Sequence, residues 1–113
     1  MAILYRAHRY AHALQTPLEG WCLTDDYEAA CRYGYYVAKV EIDLDALDLK
    51  EVPGYDHNTN TTPADSLAFR QAQGVDVVCY EDETDTGMWH YTWRLASERA
   101  VNACRVISIK ERE

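Results

Sequence analysis

The side chains best suited to chemistry are concentrated around the stretch "GWCLTDDYEAACRYG", residues 20–34. An apolar run ends at Thr24, two aspartates follow, and a short helical pattern closes on Tyr33 and Gly34. A strand turning this sharply into a helix gathers hydroxyl, carboxylate and aromatic groups at one corner, as ligand-holding loops on rigid scaffolds do. Other reactive types are scattered. Cys22, Cys31, Cys79 and Cys104 include no Cys-x-x-Cys pair, so they are expected to be reduced, mostly buried thiols. His8 and His12 stand four apart, but no convincing helix carries them and no carboxylate follows at metal spacing, so no metal is expected. No glycine-rich phosphate loop or dinucleotide fingerprint is present.

Composition narrows the class. The chain has 113 residues, 48% of them hydrophobic, with a formal net charge of −8. That length predicts one domain, residues 1–113, with a core that needs no metal or disulfide. The acidic balance argues against direct nucleic-acid binding, which calls for a basic surplus, and suits docking on a basic partner. No apolar run approaches the roughly 20 residues that span a bilayer, and the N-terminus lacks the pattern of a signal peptide. The expected location is therefore cytoplasmic, with no membrane partner.

The elements that must position these residues follow from periodicity. "AILYRAH" reads as a first strand and "WCLT" as a short buried one. "DDYEAACRYG" reads as a helix, with Thr24 or Asp25 as its cap, a capping-box spacing from Asp25 to Glu28, and Gly34 at its end. "YYVAKVEIDL" alternates with Tyr36, Ala38, Val40 and Ile42 on one face. A long polar connection runs through Pro53-Gly54, and "PADSLAFRQAQG" predicts a second helix. "VDVVCYE" and "MWHYTWRLA" form a hairpin across the acidic turn "DETDTG", and "RVISIK" is a last strand. The expected fold is α+β: two short helices with a mainly antiparallel sheet.

Taken together, "LYRAH", "GWCLTDDYEAACRYG" and "YYVAKVEIDL" resemble the opening of the mono-ADP-ribosyltransferase superfamily. The segment "GVDVVCYEDETDTGMWHYTWRLASERAVNACRVISI" is similar to the ends of its small phage and toxin members, and one phage anti-CRISPR protein of that fold is of comparable size. The motifs touch most of the chain, though each is short. The resemblance implies a split-sheet transferase fold, NAD+ as the substrate carrying the ADP-ribose, and transfer of ADP-ribose to a target protein. A phage-encoded inhibitor of a host defence, acting in the host cytoplasm, is one such role.

Carried over position by position, the resemblance places Arg6, with His8 two residues on, at a phosphate or ribose hydroxyl. Tyr33 matches the tyrosine that stacks on nicotinamide, Trp21 a second aromatic, and Thr24 the small polar residue closing the second strand. For the carboxylate that stabilises an oxocarbenium-like state, Asp76 in "GVDVV" is the first choice, because an unpaired carboxylate inside an apolar run is costly. Glu81 and Asp65 are the other candidates. A clean Glu-x-x-x-Glu or Gln-x-Glu pair is missing, a departure from the arginine-specific and actin-directed patterns. The same residues support another reading. An acidic, non-enzymatic protein could block a basic groove as a nucleic-acid mimic, or a transferase fold that has lost its acid could serve only as an interaction domain.

Overall fold

A computed structural model describes residues 1–54 and 74–113. Its strands are β1 (Ala2–His8), β2 (Cys22–Thr24), β3 (Tyr36–Ile42), β4 (Leu49–Glu51), β5 (Val77–Glu83), β6 (Trp89–Leu95) and β7 (Cys104–Glu111). Two short helices, α1 (Tyr27–Ala30) and α2 (Glu98–Asn102), lie among the described residues. The strands form one seven-stranded sheet in the order β4-β5-β6-β2-β1-β3-β7.

This corrects the expected split, mainly antiparallel sheet of the transferase type. The sheet is continuous, and it is mixed, because β4 runs parallel to β5 along Leu49–Glu51. Strand β4 comes from the stretch expected to be a polar connection; its three residues are exposed at a sheet edge and carry no apolar alternation. The expected helix over residues 63–74 lies outside the described residues except at Gly74. Helix α2 arises where no helix was expected, from Ser97, whose hydroxyl accepts from the Ala100 amide in an ordinary N-cap. No helix among the described residues is long and apolar enough to cross a membrane.

The alternation in β3 packs as its sequence demands. Ala38, Val40 and Ile42 are inaccessible to solvent and join Leu4, Leu23, Val77 and Leu95 in the main core. A 3-10 turn, Ala11–Leu14, drops Leu14 into that core. Val78 and Tyr80 belong to a second, smaller cluster on the other face of β5, as the two-residue period of a strand requires.

Helix α1 is capped by Asp26, whose carboxylate accepts from the Ala29 amide at 3.2 Å, not by Thr24 or Asp25. Gly34 has a different use from the expected helix stop. A Cβ there would lie 2.5 Å from the backbone nitrogen of His8, so the absent side chain is what lets the chain leaving α1 press against the end of β1.

Asp76 is a brace at the start of β5. Its carboxylate accepts from the Asp48 amide at 2.9 Å and the Ser97 hydroxyl at 2.7 Å, and Arg99 approaches to 3.5 Å. It thereby joins the approaches to β4 and β5 to the cap of α2. These bonds, the Asp48 amide first, hold the Asp76 carboxyl below the usual carboxylate range. A carboxyl with a depressed folded-state pKa contributes stability above its unfolded value of about 3.9 and loses it as pH falls through the lower folded value. Asp76→Asn should therefore lose about 1–3 kcal/mol at pH 7, since the amide keeps one accepting oxygen for the two donors, puts an NH2 against the other, and removes the charge facing Arg99. Urea unfolding of both proteins across the acid range checks this: the gap should narrow as pH falls below about 4.

Candidate functional site

The cavity forms where the sheet is most thinly joined. β1 pairs with β3 from Ala2 to His8, but with β2 at one position, Tyr5 opposite Thr24. Past that bridge the two strands part. Arg6, Ala7 and His8 on one side and Cys22 on the other then line a cavity of about 310 Å³. The Arg6 guanidinium lies in the gap, with one terminal nitrogen donating to the Cys22 carbonyl at 3.4 Å, a partial substitute for the missing ladder.

Arg6 is an ill-satisfied cation. Its guanidinium carbon lies 5.1 Å from the centre of the Trp21 ring, a cation–π contact. Its Nε is buried and has no hydrogen-bond partner among the described residues. Burial and then the nearby Arg94 lower its proton affinity. A buried donor left unpaired costs about 1–3 kcal/mol, a cost that calls for an explanation such as an absent ligand.

The far wall comes from the β5–β6 hairpin. Its register sets Asp82 directly opposite His90, Tyr80 opposite Thr92 and Val78 opposite Arg94. Asp82, His90 and Arg94 all line the cavity. Arg94 Nε donates to the Tyr80 hydroxyl at 2.6 Å, and Tyr80 is fully buried. His90 is 5% exposed. Its Nε2 lies 2.8 Å from the Tyr33 hydroxyl, and its Nδ1 lies 3.1 Å from Thr24 Oγ1 and 3.2 Å from the Tyr91 carbonyl oxygen. Burial, then the Asp82 charge, raises the Tyr33 phenol well above its ordinary pKa and keeps it protonated.

The structure thus brings Arg6, His8, Thr24 and Tyr33 to one cavity. Trp21 is 4% exposed in the core and meets Arg6 from behind; it does not line the cavity. Asp76 stands six residues before Asp82 on an extended strand, roughly 20 Å away, with its oxygens committed as described. Glu81 is exposed and alternates with Asp82, so it faces the other side of the sheet. Asp65 lies outside the described residues.

Among the cavity residues that the sequence did not single out are the charged and titratable Asp82, His90 and Arg94. Asp82 sits in the run "EDETD", which reads as a solvated turn. The signal that could have found it is pairing: once the hairpin is drawn, Asp82, His90, Thr92 and Arg94 share one face. Next to the cavity, and sharing His90 with it, is an open groove of about 480 Å³ lined by Asp25, Asp26, Tyr27, Glu28, Trp89 and Tyr91.

All four cysteines are free thiols. Cys22 in the cavity wall is raised in pKa by burial, and Cys79 and Cys104 are pushed up to about 11 by the same cause, so these three are not activated nucleophiles. No family model, curated protein or solved structure matches the chain.

Proposed function

We propose that the chain binds NAD+ at this cavity and transfers ADP-ribose from it to a partner protein. The observation that carries the reading is the convergence on one void of a half-buried carboxylate, Asp82, an arginine whose buried Nε has no partner among the described residues, Arg6, and a tyrosine, Tyr33. At about 310 Å³ the cavity is at the small end of ligand sites and accommodates the nicotinamide–ribose end, leaving the rest of the dinucleotide outside. NAD+ brings a leaving group, nicotinamide, whose departure develops positive charge on the ribose. Asp82 is the carboxylate placed to stabilise that charge. Arg6 supplies donors for a phosphate or ribose hydroxyl, and the Tyr33 ring offers a face for nicotinamide. The acidic, aromatic groove beyond His90 is the approach for a basic acceptor segment.

Calorimetric titration of NAD+ tests the reading. Saturable binding is expected, weakened about 10- to 100-fold by Arg6→Ala, the range expected for losing a charged hydrogen-bond donor. A thermal melt of the variant separates this loss from unfolding. An absence of heat at millimolar NAD+ in a folded sample would refute it. That outcome would favour a non-enzymatic acidic protein, a reading supported by the net charge of −8.

A further inference from the structure

We infer that Tyr33 and His90 form a proton relay that activates the acceptor nucleophile, an inference that rests on NAD+ occupying the cavity. The hydrogen bonds set the direction of the relay. The Tyr91 carbonyl oxygen, 3.2 Å from His90 Nδ1, can only accept, so Nδ1 carries the ring proton. Nε2 is then bare and accepts from the Tyr33 hydroxyl at 2.8 Å.

Thr24 Oγ1 at 3.1 Å and Thr92 Oγ1 at 3.4 Å complete the polar surround of Nδ1. Thr24 Oγ1 itself accepts from the Asp26 amide at 3.2 Å, which ties the imidazole to the strand–helix corner. Asp82, directly across the hairpin from His90, supplies negative charge beside a ring that is to become cationic.

Tyr33 is the exposed end of the pair. Its side is half exposed, while His90 is buried and borders both the cavity and the outer groove. Because burial and Asp82 hold the phenol in its protonated form, Tyr33 does not act alone as a base. It passes a proton on. As an acceptor X–H attacks, the bond from X to the ribose anomeric carbon forms and the bond from that carbon to the nicotinamide nitrogen breaks. The electron pair of the broken bond leaves with nicotinamide, which departs neutral. The X–H proton moves to the Tyr33 oxygen while the Tyr33 proton moves to His90 Nε2. The products are ADP-ribosyl-X, nicotinamide and an imidazolium that later returns its proton to water. Tyr33 touches the acceptor; His90 acts through Tyr33.

The test uses water as X–H and follows nicotinamide release from NAD+ by the intact protein, with NAD+ affinity measured in parallel. Tyr33→Phe keeps the ring, and His90→Gln keeps a hydrogen-bonding group at Tyr33. Each should lower kcat at least about 100-fold, as loss of a positioned base does, while leaving the NAD+ Kd within about threefold. The double variant should be no slower than either single one, because the two residues act as a unit. Nitrogen-15 NMR of the histidines should show a protonated Nδ1 and a bare, hydrogen-bonded Nε2 at His90, with the Nε2 signal moving in Tyr33→Phe. Unchanged turnover in His90→Gln would overturn the relay. So would a wild-type protein that binds NAD+ but releases no nicotinamide, or the opposite tautomer at His90. Failure of the wild type to bind NAD+ sinks the proposed function itself, an outcome distinct from these three.

Discussion

Replacing Asp82 with asparagine should lower nicotinamide release by about 100- to 1,000-fold, the range seen when one preorganised electrostatic group is removed from a reacting centre. The fold should survive. The Asp82 carboxylate accepts from the adjacent Glu83 amide at 2.8 Å, a local bond unlike the three-way brace at Asp76. NAD+ affinity should change little, because the charge that Asp82 opposes develops mainly as the glycosidic bond breaks. Glu81→Gln is the matched control. It changes the neighbouring carboxylate, which faces the other side of the sheet, and should leave the rate intact. Equal losses in the two variants would show that general acidity of the hairpin matters and that the facing position of Asp82 does not.

Trp21→Ala should be the most damaging of these substitutions to stability, by about 3–5 kcal/mol. The ring is 4% exposed and packs within the main core, so its removal leaves a large cavity. Set against a usual total of about 5–15 kcal/mol, that loss should bring the urea midpoint down sharply. The same change takes away the platform under the Arg6 guanidinium, so NAD+ binding should weaken in whatever fraction remains folded. Trp21→Phe, which retains a ring at that place, should recover most of both. A Trp21 that stacked directly on nicotinamide would show the reverse: a loss of binding with stability nearly unchanged. Urea melts and calorimetry on the two variants distinguish these cases.

Periodicity made some elements legible and left others unreadable. The alternation in "YYVAKVEI" marks the buried face of β3, and the acidic turn between two apolar runs marks the β5–β6 hairpin, because burial on a strand repeats every two residues. Which strands lie side by side is not written in that period. The single Tyr5–Thr24 bridge holds β1 and β2 in one continuous sheet, where the transferase resemblance implied a split. Strand β4 was hidden because its exposed "LKE" carries no apolar signal. Of the corner at residues 20–34, Thr24 and Tyr33 line the cavity, from the end of β2 and from just beyond α1. Asp76 in an apolar run looked like a group held there for chemistry, yet Asp48, Ser97 and Arg99 satisfy it. Arg6 is the converse: the resemblance alone singled it out in the sequence, whereas in the fold its Nε is a buried donor short of a partner among the described residues.

The most direct test of the account is to locate NAD+ on the protein by amide chemical-shift mapping of a nitrogen-15-labelled sample. Saturable shifts are expected to cluster at Arg6–His8, Cys22–Thr24, Tyr33 and the facing hairpin residues Asp82 and His90. Shifts confined to surfaces away from this cavity, or none at millimolar NAD+ in a folded sample, would contradict it.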